Sequence, residues 1–273
     1  MTECTMNQKC AAQKSPETGT AAGSKNPSAC WHVWSHLRLW PVAAITLAAD
    51  LLSKHWAFTS LDSDPGASGA WVVIPHLMSF RRSLNAGALF GLGKGLTPVF
   101  ILASVLALGF VFFLFVQSTR DRRSLHMALG LVLAGALGNL YDRAFMQADV
   151  VQYVIDGRTY TEAFKVIEEN DKGLVVGTWP EGDHRRTIPN ACAPSVRVQG
   201  VVRDFIKMEP KFTVAGRSIE IWPWVFNIAD VLLVVGVGLL MLNFWWDHKA
   251  EQAVQREETT SACQKTQHNS RET

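Results

Sequence analysis

Four apolar stretches of bilayer length constrain this chain more than any other feature. They cover residues 39–57, 96–116, 125–142 and 221–246. Each comes close to the roughly 20 residues that a helix needs to cross a hydrocarbon core. Pro41 falls in the first turn of the first stretch, where a missing N–H does no harm. The second is almost pure Leu, Val, Phe and Ala, and the third is short and rich in Gly and Ala. The fourth is bracketed by Trp222 and Trp224 at one end and Trp245 and Trp246 at the other, as interfacial aromatic belts are. Backbone groups in lipid must be satisfied within their own segment, so such stretches fold as helices. The reading is an α-helical membrane protein with four transmembrane helices.

The remaining residues are polar. Residues 1–35 and 250–273 read as disordered cytoplasmic tails, since neither buries enough apolar surface to offset its ordering entropy. Residues 36–249 form the membrane domain. The first thirty residues lack the apolar core of a cleaved signal peptide, so the first span is expected to serve as an uncleaved anchor. Lys25, His36 and Arg38 precede that span, Arg120, Arg122 and Arg123 fill the loop between the second and third, and His248 and Lys249 follow the fourth. Positive residues mark cytoplasmic loops, so both termini are expected inside and the loops 58–95 and 143–220 outside. Arg81, Arg82 and Lys94 vote the other way, in a loop long enough to weaken the rule.

The second outer loop is expected to hold structure. Asp156-Gly157 lies between β-prone stretches, which signals a hairpin over 150–161. A second hairpin is read over 164–179 across Asn170-Asp171-Lys172-Gly173, although 161–169 also reads as a possible helix start. Residues 180–194 read as irregular. The formal charge of +2 is not gathered into a basic face, which excludes a nucleic-acid partner. The five cysteines show no paired or zinc-ligand spacing. No His-Glu-x-x-His motif occurs, so no metal and no cofactor are expected.

Polar residues within apolar spans are costly and usually functional. Asp50 and Lys54 are four apart, on one helix face. They either shape a site or form a structural ion pair. Asn85 and Gly87 lie in a stretch of small residues before the second span, where Asn beside small residues also suits a turn. Asn139 and Asp142 are three apart near the end of the third span, followed by Arg143. Gly135 and Gly138 permit close helix packing there. Asn227 and Asp230 repeat the three-residue spacing. With the span starting at residue 221, Asp230 lies about nine residues inside, ~14 Å by helix rise. Asp204 stands alone in the outer loop, ahead of Phe205-Ile206.

Taken in order, Asp-x-x-Ser-Lys (50–54), Asn-x-Gly-x-x-Phe (85–90), Gly-Asn-x-x-Asp-Arg (138–143), Val-x-Asp-Phe (202–205) and Phe-Asn-x-Ala-Asp (226–230) resemble the lipoprotein signal peptidase, or signal peptidase II, family. The resemblance covers about 39–146 and 200–246. It implies four transmembrane helices with a small extracytoplasmic β-rich cradle. It also implies an aspartic endopeptidase of the bacterial inner membrane, multi-pass, with its site toward the outer face. Its substrates would be lipidated prolipoproteins, cut before a diacylglyceryl-cysteine, with membrane lipid as the other partner. By motif, Asp204 and Asp230 match the catalytic pair. Asp50, Lys54, Asn85, Gly87, Asn139, Asp142, Arg143, Asn227 and Ala229 match its supporting and substrate-binding shell. A monomer is favoured. Against this family the segment 147–199 reads as an insertion, expected to be a peripheral β-rich elaboration that overhangs the groove without supplying chemistry.

An aspartic pair works with one carboxylate and one carboxylic acid, because two close carboxyls share a proton. Ser53 and Lys54 are adjacent, hence on different helix faces, and make no Ser–Lys pair. The alternative function is a small proton-coupled transporter or channel subunit, with the polar residues as a relay. Relay carboxylates should be spread through the membrane depth, whereas these gather toward one face.

Overall fold

The computed structural model describes residues 28–62, 70–87, 97–214 and 217–269. Its helices are α1 (Val33–Ser60), α2 (Thr97–Gln117), α3 (Arg123–Phe145) and α4 (Ile228–Asn269). The tail over 1–27 and the end of the Asn85 motif at 88–90 lie outside the described residues.

The first three helices overlap the expected spans. α1 starts earlier than expected, so Pro41 lies inside the helix rather than in its first turn. Bundle helices tolerate such a proline because neighbours re-satisfy the freed carbonyl. α4 departs at both ends. It begins at Ile228, not 221, because Val225–Phe226 form a short strand and Asn227 caps the helix. It continues to Asn269, through the stretch read as a disordered tail. Residues 247–269 contain neither Gly nor Pro and are rich in Ala, Glu, Gln, Lys and Arg. Extending an existing helix through good helix formers avoids the nucleation cost.

Among the described residues, two helical stretches are long and apolar enough to cross a membrane: Arg123–Phe145 and Ile228–Ser261. In α2 the qualifying apolar stretch, Ile101–Gln117, is shorter, and α1 carries Arg38, Asp50 and Lys54. α3 is the central helix, packed against α1, α2 and α4. Leu39 and Ala43 of α1, Val111 and Phe115 of α2, and Leu129 and Leu133 of α3 share one core. On α2, Leu102, Leu106, Phe110 and Phe113 turn outward and are more than half exposed. An apolar stripe that large facing away from the core marks a lipid-facing or binding surface.

Gly135 shows why α3 and α4 approach so closely. A Cβ there would lie 2.6 Å from the Ala229 carbonyl oxygen and 2.7 Å from Leu233 Cγ. A Cβ on Gly138 would strike the Asp50 carboxylate. The small-residue seam expected from the sequence is therefore a tight contact on which the polar cluster depends.

Strands fill the rest. β1 (Trp71–Ile74), β2 (Met78–Asn85), β8 (Val202–Met208) and β11 (Val225–Phe226) form an antiparallel sheet in the order β1-β2-β8-β11. β3 (Gln147–Ile155), β4 (Arg158–Asn170), β5 (Gly173–Gly177), β6 (Arg186–Pro189) and β7 (Ser195–Gly200) form a second sheet, ordered β6-β5-β4-β3-β7. β9 (Lys211–Val214) and β10 (Arg217–Glu220) make a separate hairpin.

Both expected hairpins are present. Ile155 pairs with Arg158 across Asp156-Gly157, whose φ values of 49° and 72° suit the two-residue turn that matches strand twist. Asn170 pairs with Gly173 across Asp171-Lys172. The helical reading of 161–169 is overturned. β4 pairs with β3 on one side and β5 on the other, which satisfies its backbone in the sheet. The segment 180–194 is less irregular than expected. β6 pairs along β5, with Leu174 opposite Ile188 and both buried.

Candidate active site

All eleven residues singled out in the sequence converge where the C-terminal ends of α1 and α3 meet the start of α4 and the first sheet. β8 delivers Asp204, which is 2% exposed. Its register partner on β2 is Ser83, two residues before Asn85. Asn85 hydrogen-bonds Asp204, and its Oδ1 accepts the Gly87 N–H at 2.9 Å. The Gly87 carbonyl accepts from the Arg143 guanidinium.

Asn227 and Asp230 form a reciprocal cap at the start of α4. Asn227 Oδ1 accepts the Asp230 N–H at 3.1 Å. Asp230 Oδ2 accepts the Asn227 N–H, also at 3.1 Å. This is the logic of a capping box, with Asn and Asp in place of the usual Ser/Thr and Glu. Asp230 thus lies in the first helical turn, not nine residues deep. The sequence reading counted Ile221, Trp222 and Trp224 as helix because they are apolar.

The same Asn227 side chain reaches across the site. Its Nδ2 donates to Asp204 Oδ1 at 2.6 Å and to Asn139 Oδ1 at 3.2 Å. Asn139 Nδ2 donates to Asp230 Oδ1 at 2.9 Å. One fully buried residue therefore donates to both aspartates, through its side chain and its backbone.

Beneath this pair lies a chain of buried charge. Lys54 Nζ is 2.8 Å from Asp50 Oδ2, 3.3 Å from Asp142 Oδ2 and 3.2 Å from Asn139 Oδ1. Asp50 Oδ1 accepts the Ala229 N–H at 2.8 Å, satisfying an otherwise orphan donor of α4. Lys54, Asp50 and Asp142 are fully buried.

Sequence reasoning missed Arg203. Its side chain donates to Asp142 Oδ1 from Nε at 3.1 Å and Nη2 at 2.7 Å, and its backbone N–H reaches Oδ2 at 3.0 Å. Neighbouring strand residues face opposite ways, so Arg203 turns toward α3 while Asp204 turns toward the site. A cation inside the Val-x-Asp-Phe motif, beside a run bound for burial, was the available signal.

Burial pushes the Asp204 carboxyl well above the usual carboxylate range, and the Asp230 charge adds to it. Hydrogen bonds from Asn227 and Asn85 oppose the shift without cancelling it. The cluster holds three cations (Lys54, Arg143, Arg203) against four carboxyls (Asp50, Asp142, Asp204, Asp230). One retained proton makes it neutral.

A cavity of about 410 Å³ opens beside Asp204 and Asn85. Thr161, Phe164 and Trp179 of the 147–199 segment line it too. The segment therefore overhangs this cavity, with β4 and Trp179 beside the first sheet.

A family model described as signal peptidase (SPase) II matches residues 42–246. A lipoprotein signal peptidase of Desulfitobacterium hafniense is 28% identical over 180 residues, covering 66% of this chain and 77% of the relative. One of Rhodococcus jostii is 37% identical over 164 residues, covering 57% and 75%. A solved bacterial membrane enzyme is similar with a TM-score of 0.48 at 21% identity, covering 78% of this chain and 88% of its own. The chain belongs to the signal peptidase II family, the membrane proteases that remove signal peptides from prolipoproteins. The transporter alternative gains no support from these relatives.

Proposed function

We propose that this protease is an aspartic endopeptidase of the bacterial inner membrane, with Asp204 and Asp230 as its catalytic pair. It cuts prolipoproteins on the N-terminal side of the diacylglyceryl-cysteine. The observation that carries this reading is Asn227, which hydrogen-bonds both carboxyl groups and holds them to one site. Asp204, the more buried, serves as the acid. Asp230 is partly exposed at the helix start and serves as the base.

Asp230 takes a proton from water as the water oxygen attacks the scissile carbonyl carbon. Asp204 gives its proton to the carbonyl oxygen. The gem-diol then collapses, the C–N bond breaks, and the leaving amine takes the proton held by Asp230. Asp204 recovers its own from the gem-diol hydroxyl. The site's charge count favours this cycle, since one proton on the pair leaves the cluster neutral. Asn85, Asn139, Asp142, Arg143 and Asn227 position the pair, while Asp50 and Lys54 tie α1 to it.

The four helices are read as spanning the bilayer, with both termini cytoplasmic and the cradle outside. Arg38 Nη1 donates to the Arg120 carbonyl at 2.8 Å, and Arg122 pairs with Asp247. The basic flanks thus gather at one end of the bundle and the aspartates at the other. Trp71, Val72, Val73 and Ile74 of β1 are all exposed, an apolar edge suited to resting on lipid and on the substrate's acyl chains.

Asp204→Asn and Asp230→Asn test the assignment. Each should remove nearly all processing of a lipidated precursor, followed by gel mobility, with the fold intact by circular dichroism. Near-normal turnover by either variant refutes it.

A further inference from the structure

The cavity beside Asp204 lies between β2 of the first sheet and an opposite wall made by β4 with Trp179, which follows β5, and Pro223, Trp224 and Val225 also line it. The far wall is firmly built. The Trp179 carbonyl accepts from Arg82 Nη2 at 2.6 Å, and its indole N–H donates to the Gln147 carbonyl at 2.8 Å. Its ring meets Phe58 edge-on at 6.1 Å, and the Arg82 guanidinium lies 5.2 Å from the Phe58 ring centre.

Arg81 and Arg82 are adjacent on a strand, yet both line the cavity. The β2–β8 register slips between Phe80 and Ser83. Such a bulge re-aims a side chain that regular alternation would turn away. The two arginines then differ. Arg82 is 3.2 Å from Glu181. Glu162, on the opposite wall, is held by Arg186 at 2.5 Å. Glu220, which feels the charge of Arg81, is held by Lys207 at 3.0 Å. Among the described residues Arg81 has no carboxylate within ion-pair distance, so no direct ion pair neutralises the positive charge it brings to the cavity.

A signal peptide is apolar and stays in the bilayer, and the acyl chains of the modified cysteine stay there too. The residues that follow the cysteine must therefore emerge on the sheet side of the site. We propose that this cavity binds the first residues of the mature lipoprotein, and that Arg81 makes it selective for an acidic side chain there. The proposal rests on the assignment of Asp204 as catalytic.

The test uses the full-length enzyme in lipid bicelles. Its substrates are lipidated peptides that carry Asp, Asn or Lys at the second, third or fourth position after the scissile bond. At one of these positions the wild type should favour Asp over Asn about fivefold in kcat/KM, the upper range for a partly exposed ion pair, and should disfavour Lys. Arg81→Gln should bring the Asp/Asn ratio close to one, and Arg81→Lys should keep much of it. High salt should shrink the wild-type ratio. The ratio compares two substrates on one preparation, so partial misfolding of a variant cancels. Equal cleavage of all charge variants by the wild type, or an unchanged preference in Arg81→Gln, overturns the proposal. Failure of the catalytic assignment looks different: Asp204→Asn would then cleave the Asn peptides at the wild-type rate.

Discussion

Asn227→Asp separates the two tasks of the residue that joins the aspartates. Aspartate is as good an N-cap as asparagine, and its oxygen can still accept the Asp230 N–H, a bond of 3.1 Å in the wild type. The helix start should survive. What disappears is the Nδ2 donor, which reaches Asp204 at 2.6 Å and Asn139 at 3.2 Å. An acceptor then faces the Asp204 carboxyl inside a fully buried shell. Leaving a buried partner unsatisfied costs about 1–3 kcal/mol. If that bond is needed in the transition state, loss of the Asp204 contact alone should lower the rate about ten- to a hundredfold. Asn227→Ala removes the cap as well, which should cost a further ~1 kcal/mol of stability. The assay is kcat/KM on a lipidated peptide, with thermal unfolding in detergent beside it. Asn227→Asp should lose that ~1–3 kcal/mol of stability and cleave slowly, and Asn227→Ala should lose the further ~1 kcal/mol of the cap as well. A catalytic rate for Asn227→Asp indistinguishable from the wild type would refute the bridging role.

Arg203→Met should destabilise the protein by about 3–5 kcal/mol, because it strips the buried Asp142 Oδ1 of both guanidinium donors. Adding Asp142→Asn should recover part of that loss in chemical denaturation. Gly138→Ala should cost about 1–3 kcal/mol by overpacking against Asp50, and should depress activity more than Gly130→Ala, which lies far from the pair. The proton on Asp204 is bound more tightly in the folded chain than in the unfolded one. Its contribution to stability is therefore full at low pH and declines as pH rises from the ordinary value of 3.8 through the raised one. Titrated by unfolding, Asp204→Asn should lack that decline, and a wild type with the same slope would contradict it. Cysteine labelling in intact cells should reach a probe at 182 and miss one at 122, and the reverse pattern would invert the topology.

The bodies of α1, α2 and α3 were legible because long apolar runs have few other folds available. The start of α4 was not. Ile221, Trp222 and Trp224 add to a hydropathy sum whether or not they are helical, while the stop signal lies in Pro223 and in the Asn227–Asp230 cap. The polar tail of α4 misled for the opposite reason. It cannot bury surface, yet it inherits a helix already nucleated. Within the site, three-residue spacings on helices were readable because they share a face. Arg203 was not, since its role depends on which side of β8 faces α3. The two hairpins announced themselves through their turns, but only the packing of the two sheets shows that Trp179 closes a wall beside Asp204.

Asn227 binds folding and chemistry into a single residue, and this restricts how the protein can drift through sequence space. Serine would keep the helix start but lose the amide that bridges the carboxyls. Glutamine would keep an amide but set it one methylene out of register with the cap. Residues 227 and 230 also restrain each other, because each accepts the other's backbone N–H. Neither has a neutral single-step exit, and a lineage that lost the activity would shed the need for the bridging amide but not the need for a cap.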